Sequence, residues 1–384
     1  MQQNLAANQL VWMSVSSSFA NSVDLPESIQ NGIKEMDFIG DQVLAGLDIS
    51  VMPELLPLVL TWEEAKHEGE FVVHKTYEGA MQYFEQLATD HSIFNLPEFT
   101  NGDVAETLKQ SVDPEQMKPL ADNLLKKFKT RYAKSKIGQK AAKWILGQFE
   151  DIASSRDDIT VKSIKEPTTK QISVVVSIEG TGSGSDNVIL GSHLDSISNH
   201  DGKMTNKKPA PGLDDNGSGV LVLMEILRVI IETGYRPENN VQLMAYAAEE
   251  LGLLGSTQIA EDYKSKGKSV IGMLEFDGAG YVGQVPVDFL FTKDFSNNDH
   301  AEFLGHLTNT YLPDYTYLFF TCSHECSDHA SWYLNGYPAG FASESNQNPN
   351  YHTENDKYVD FDYMGKFARL GLVYLAELAK GTVS

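Results

Sequence analysis

Val188-Ile-Leu-Gly-Ser-His193-Leu-Asp195 places a short apolar run directly before a histidine and an aspartate. The pattern recurs twice downstream. Val241-Gln-Leu-Met-Ala-Tyr-Ala-Ala248 leads into Glu249-Glu250, and Val270-Ile-Gly-Met-Leu274 leads into Glu-Phe-Asp277. Such runs read as buried strands. Between the first two lies Pro211-Gly-Leu-Asp-Asp215-Asn-Gly-Ser-Gly219, which opens a helical apolar pattern over residues 217–233, closed by Gly234. Carboxylates at the mouths of buried strands are costly unless positive charge faces them. A metal ion would supply that charge.

Working outward, Ile172-Ser-Val-Val-Val-Ser-Ile178 reads as a further strand, and an amphipathic helix runs through Ile259 and Tyr263. A strand over residues 288–292, a helix over 299–311 and a last amphipathic helix over 363–380 complete the alternation. Strands alternating with helices predict an α/β fold of three layers, a mainly parallel mixed sheet covered by helices on both faces. Ligands of such sheets bind outside the carboxyl ends of the strands, where the acidic residues fall. Residues 108–131 and 140–152 carry two more helical patterns expected to pack on the sheet. Residues 1–97 differ: strands are expected near 10–15 and 71–73, with loop-like stretches between and no helix–strand alternation. This predicts a small N-terminal accessory unit (1–97) joined near Leu96-Pro97 to a main domain (98–384).

A chain of 384 residues with 41% hydrophobic content is ordinary for a folded protein. No stretch approaches the roughly 18 apolar residues of a membrane span. A net charge of −23 argues against nucleic-acid and anionic-lipid partners, although solubility alone accounts for it. The basic residues between Lys118 and Lys143 are interleaved with Leu, Phe and Ala at helical spacing, as on a solvated helix face. Met1-Gln-Gln-Asn lacks the basic start and apolar core of a signal peptide, which fits a cytosolic start or a trimmed secreted one. The two cysteines, Cys322 and Cys326, read as a local disulfide and hence an oxidising compartment. A thiolate metal site is the rival reading, but two thiolates cannot close a structural zinc site alone.

His193, Asp215, Glu250, Asp277 and His352 are the candidate metal ligands. They exceed the three protein ligands of a single catalytic zinc and suit two divalent ions sharing a bridging carboxylate. Metals about 3.5–4 Å apart can activate a water and polarise a carbonyl together. Imidazole with carboxylate fits zinc better than calcium, with cobalt and manganese as further possibilities. Of the adjacent glutamates, one can bind metal while Glu249 serves as general base. Asp195, two residues after His193, is placed to accept that ring's N–H.

These segments, in this order and spacing, resemble the co-catalytic dizinc aminopeptidases, the type of the secreted bacterial leucyl aminopeptidases. Cys322-Ser-His-Glu-Cys326-Ser-Asp-His-Ala-Ser-Trp332 and Asn348-Pro-Asn-Tyr-His352-Thr add to the likeness, which covers roughly residues 101–380. Residues 10–90 resemble the family's removable prosegment, with Leu-Val-Trp-Met-Ser-Val15 and Gly-Glu-Phe-Val-Val-His74 as matching ends. The resemblance implies two zinc ions per chain, Asp215 as bridge, Glu250 and His352 on one ion, and His193 and Asp277 on the other. It implies Glu249 as general base and a cis peptide between Asp215 and Asn216. Glu275 is expected to be ordinary strand polarity.

Two departures bear on specificity. His324 stands where the best-known members have a tyrosine, and Phe341-Ala-Ser-Glu-Ser-Asn-Gln-Asn348 is shorter and more polar than the family's aromatic-rich loop. His324, Gly278, Phe291, Phe341 and Tyr351 are the expected pocket residues. The expected activity is removal of N-terminal residues, leucine-like or broad, from peptides and proteins by a secreted monomeric zymogen-type enzyme without nucleic-acid or membrane partners. Glu325, Glu344 and the polar loop would also permit Lys or Arg. A glutaminyl-cyclase-like acyltransferase with one zinc, and a non-catalytic binding module, are the other readings. No serine sits in a nucleophile elbow, and no phosphate-loop lysine follows Gly217-Ser-Gly219. His67, His74, His91, His200, His300 and His306 are expected on the surface or satisfied in the core, and His329 in capping and packing.

Overall fold

The computed structural model describes residues 10–16, 25–39, 42–52, 54–55, 72–74, 76–89, 94, 96–184, 186–198, 208–283, 285–322 and 324–384. Phe71, His67, His91 and His200 lie outside the described residues. The first elements are β1 (Leu10–Ser16), α1 (Glu27–Gly32), β2 (Ile33–Ile39), β3 (Gln42–Asp48), β4 (Val72–His74) and α2 (Tyr77–Thr89). Helices α3 (Gly102–Gln110), α4 (Lys118–Lys127) and α5 (Lys136–Ala153) follow. Next come β5 (Ile159–Lys165), β6 (Ile172–Ile178), β7 (Asn187–His193), α6 (Gly219–Glu232), β8 (Asn240–Tyr246), α7 (Leu254–Ser265) and β9 (Val270–Phe276). The last are β10 (Phe289–Thr292), α8 (Asn298–Tyr311), β11 (Tyr317–Thr321), α9 (His329–Leu334), β12 (Ala339–Ser343) and α10 (Phe361–Leu378).

The twelve strands among the described residues form one sheet in the order β2-β3-β1-β4-β11-β10-β12-β9-β7-β8-β6-β5. The centre, β12-β9-β7-β8, is parallel, and β4-β11-β10 is a second parallel block running against it. Both margins are antiparallel, β6 and β5 at one end and β1, β3 and β2 at the other. The mixed, helix-covered sheet expected from the alternation is therefore present, with its parallel character confined to the middle.

Strand alternation builds a core on each face. Val174, Val176, Val188, Leu190, Leu243, Leu274 and Phe276 enter one cluster with α6 and α10. Their neighbours Val175, Ile189, Met244, Tyr246 and Met273 turn to the other face and meet Ile259, Tyr263 and Trp332. Two buried faces explain why the sequence shows continuous apolar runs here rather than alternation. Trp332, wholly buried, satisfies its indole by donating Nε1–H to Tyr246 Oη at 3.0 Å. Truncating one of these core side chains typically costs about 2–5 kcal/mol.

Two helix starts are capped by side chains. Ser135 Oγ accepts from Gly138 N at 2.8 Å and Asp360 Oδ1 from Tyr363 N at 2.9 Å, opening α5 and α10. The single helical pattern expected over 108–131 is divided instead. α3 ends at Gln110, a short turn spans Pro114–Gln116, and α4 restarts at Lys118. Asp113 caps that turn through Glu115 N, and prolines at the first positions of both later pieces suit helix starts, not interiors. The N-terminal region also holds more structure than its sequence suggests, with β2, β3, α1 and α2 in addition to β1 and β4. No helix among the described residues is long and apolar enough to cross a membrane.

Candidate metal centre and substrate pocket

Three strand ends deliver the chemistry. His193 is the last residue of β7, Asp277 follows β9, and Glu249-Glu250 follows β8 by way of Ala248 at φ 56°, a left-handed residue that turns the chain sharply. Asp215 comes from the kinked turn before α6, where the Asp215–Asn216 peptide is cis. Gly212, at φ 53°, lies so close to that turn that a Cβ would sit 2.4 Å from Asp215 O. Asn216 Nδ2 donates to Ser192 Oγ at 2.9 Å and Phe276 O at 2.8 Å, tying the turn to β7 and β9. His352 arrives from the loop before α10, its ring stacked on Tyr351 with centroids 3.7 Å apart.

The five side chains converge. His193 Nε2 lies 3.2 Å from Asp215 Oδ1 and 3.3 Å from Asp277 Oδ1. His352 Nε2 lies 3.0 Å from both Asp215 Oδ2 and Glu250 Oε2. Asp215 thus turns one oxygen to each histidine. Ligand atoms of His193, Asp215 and Glu250 all fall within 4.8 Å of one another. Glu249 Oε2 stands 3.9 Å from His193 Nε2. Asp195 Oδ1 faces His193 Nδ1 at 3.6 Å, beyond hydrogen-bond range, and accepts instead from Glu249 N at 2.9 Å.

Several supports were not evident from the sequence. Asp356 accepts from Asp214 N and Asp215 N, both at 3.0 Å, and Ser327 Oγ donates to Asp277 Oδ2 at 2.8 Å. Arg131, fully buried, donates Nε–H to Leu194 O at 2.8 Å, Nη1–H to Pro211 O and Nη2–H to Asp195 O at 3.3 Å. It joins the loop after β7 to the Asp215 turn from behind. Only the position of Ser327, next to Cys326, offered any signal; Arg131 and Asp356 are joined to the site by long-range contacts. Replacing Arg131 by Met should unpair the buried carbonyls of Leu194, Asp195, Pro211 and Asp215 and lower unfolding free energy by about 3 kcal/mol. Urea denaturation checks this, and an unchanged midpoint would contradict the clamp.

Glu275 is not ordinary strand polarity. It is wholly buried on β9 opposite Gly191, and burial raises its pKa well above the carboxylate range. A Cβ at Gly191 would lie 2.3 Å from Glu275 Oε2. Burial likewise pushes Asp328 up to about 7. His329 lies beneath the pocket, its ring stacked on Phe341 with centroids 5.0 Å apart.

Electrostatics favours cations here. Burial and the Asp215 charge push Glu250 up to about 8, and burial, reinforced by Glu250, raises Glu249 well above its usual range. Asp215 is also buried, but hydrogen bonds from His193 and His352 hold it below the ordinary carboxylate value. Glu250 Oε1 has no hydrogen-bond partner among the described residues. Two imidazoles and three carboxylates, with His193 and Asp215 buried and Glu250, Asp277 and His352 half-buried, carry a surplus of negative charge and are a donor set suited to divalent ions of the zinc type.

Beside the cluster opens a pocket of about 310 Å³. Leu290, Phe320, Phe341 and the Cys322–Cys326 disulfide form apolar walls, the cluster's Asp215 and Asp277 border it, and Gly278, His324, Glu344 and Tyr351 are among the other lining residues. Phe291, expected here, lies elsewhere. It is wholly buried in the main core against Phe289 and Tyr317, because alternation along β10 turns Leu290 to the pocket and Phe291 away. His324 Nδ1 is 2.9 Å from Cys322 O.

An α/β sheet carrying such a donor cluster at its strand ends is the frame of a metallopeptidase. Residues 173–375 match the model of Peptidase family M28, and the chain belongs to that family. It is 33% identical over 293 residues to a probable aminopeptidase of Saccharomyces cerevisiae, covering 74% of this chain and 75% of the relative. With leucine aminopeptidase 1 of Trichophyton equinum it shares 36% identity over 274 residues, 67% of this chain and 72% of the relative. The crystal structure of Legionella pneumophila LapA aminopeptidase shares the fold, with a TM-score of 0.68 at 22% identity over 98% of this chain and 99% of that one. Legionella LapB gives 0.67 at 23% identity over 96% and 99%.

Proposed function

We propose that this chain is an aminopeptidase that removes the N-terminal residue of peptides with the help of two zinc ions. The observation that carries this is Asp215, whose Oδ1 faces His193 at 3.2 Å while Oδ2 faces His352 at 3.0 Å, as a bridging carboxylate would. Glu250 and His352 would hold one ion, His193 and Asp277 the other. Bound zinc supplies Lewis acidity for a carbonyl and lowers the pKa of water. Glu249 takes the proton of the attacking water on its carboxylate and passes it to the leaving amine. Its backbone is fixed for this by the Glu249 N–Asp195 Oδ1 hydrogen bond. Ser327 orients Asp277, and Arg131 and Asp356 keep the Asp215 turn in place.

The apolar walls Leu290, Phe320 and Phe341 support a leucine-like side chain at the cleaved residue. Glu344 is the feature that would favour Lys or Arg, but its Oε2 already accepts from Gly280 N at 3.1 Å and Tyr281 N at 2.7 Å. The disulfide supports a site of action outside the cytosol. We take the working form to be a monomer. A panel of Leu, Phe, Lys and Arg p-nitroanilides, run on protein of measured zinc content, tests the reading. The expected result is two zinc ions per chain and leucine preferred over lysine by about tenfold or more in kcat/KM. One zinc per chain with cyclisation of N-terminal glutamine would favour the acyltransferase instead.

A further inference from the structure

Strand β4 lies behind one wall of the substrate pocket. β4 runs parallel to β11, with Phe319 opposite Val72, Phe320 opposite Val73 and Thr321 opposite His74. On one face buried His74 links two hydroxyls, with Nδ1 2.7 Å from Thr321 Oγ1 and Nε2 2.9 Å from Ser14 Oγ. Burial lowers its pKa to about 3, so the ring is neutral, with one donor and one acceptor nitrogen to match the two hydroxyls. On the other face Val73 packs on the cluster of Phe320, Cys322 and Phe341 with Leu290 and Cys326. Those five residues are the apolar walls of the pocket. Among the described residues the lining runs from Asp214 to Tyr351, and none comes from residues 1–97.

We propose that residues 1–97 stay with the working enzyme as a buttress of the pocket, with His74 as a positioning residue that holds the end of β11 through Thr321 and Val73 as the side chain that backs Phe320. Without β4, β11 would be an edge strand, with one row of N–H and C=O groups unpaired and no packing behind Phe320. The residue after β11 is Cys322, so any drift of this strand moves the disulfide wall as well. This fate differs from removal as a prosegment. It rests on the reading of that pocket as the one that takes the N-terminal side chain.

The test uses the full-length chain carrying Thr321→Val, which keeps the volume and deletes the hydroxyl that His74 engages. KM for leucyl p-nitroanilide should rise about tenfold with kcat within about twofold, while alanyl p-nitroanilide, whose methyl does not reach the wall, keeps its constants. Thr321→Ser, which retains the hydroxyl, should restore the wild-type KM. Equal losses on both substrates, or no loss on either, would overturn the proposal. So would an active purified form lacking residues 1–97 with unchanged leucyl kinetics. If Thr321→Val does not fold, Val73→Ala serves instead. It should raise the leucyl KM about threefold and spare the alanyl substrate, and an unchanged KM would overturn the buttress. Wild-type protein that cleaves neither substrate would refute the aminopeptidase reading itself, an outcome separate from any shift in the variants.

Discussion

Glu249→Ala should purify folded and with its zinc content near that of the parent, yet lose about 10²–10⁴-fold in kcat. The side chain is the one carboxylate of the cluster assigned to proton transfer, and its distance of 3.9 Å to His193 Nε2 contrasts with the 3.0–3.3 Å contacts among the assigned ligands. Its removal deletes a proton carrier and leaves the ligand set complete. Burial also raises Glu249 well above the usual carboxylate range, which suits a group that must hold a proton between taking and giving it. KM should change little, since nothing in the apolar pocket walls is altered. Steady-state kinetics beside metal analysis decides the matter. Full activity in the variant would remove Glu249 from the mechanism, and loss of zinc would reassign it as a ligand.

Asp215→Ala should be the more damaging change. It takes one oxygen from each histidine, so zinc content should fall below one ion per chain and hydrolysis should fall below detection. Chelating the parent protein should have the same effect on activity and lower the melting temperature by on the order of 10 °C, through lost linkage to bound metal. A pH dependence follows. Burial works to lower the His352 pKa, but hydrogen bonds to Asp215 and Glu250 push it up from 6.5 to about 10. In chelated protein the stabilisation from this proton is full below pH 6.5 and is lost as pH rises through about 10. Zinc must displace the proton, so its affinity should weaken as pH falls. Differential scanning fluorimetry of chelated and zinc-loaded protein across this range checks both signs. An Asp215→Ala variant that retains two zinc ions would eliminate the bridge.

The main sheet is legible in the sequence where strands are buried on both faces. β7, β8 and β9 appear as apolar runs because each neighbour in the run meets its own core. β12, Ala-Gly-Phe-Ala-Ser, escapes because small residues replace the β-branched ones that mark a strand. β2 escapes because its middle residues face water and carry Lys, Glu and Asp. Of the proposed ligands, His193, Glu250 and Asp277 are legible as polar residues at strand ends, while the roles of Asp215 and His352 and the cis peptide rest on resemblance. Arg131 and Asp356 were not legible, since each acts on the site through main-chain groups far away in sequence. Phe291 shows the limit of reading a pocket from types of residue: a one-residue step along β10 decides whether a side chain faces the pocket or the core.

Gly191 and Glu275 share one space across the β7–β9 ladder, beneath His193 and Asp277. A Cβ at 191 would also meet Met273 Cε and Tyr246 Cε2, both at 2.7 Å, so it would fit only if all three side chains gave way. Packing beneath the cluster is thus set jointly by Gly191, Met273, Tyr246 and Glu275, and the missing side chain at 191 is what lets the buried carboxyl of Glu275 lie against the β7 backbone.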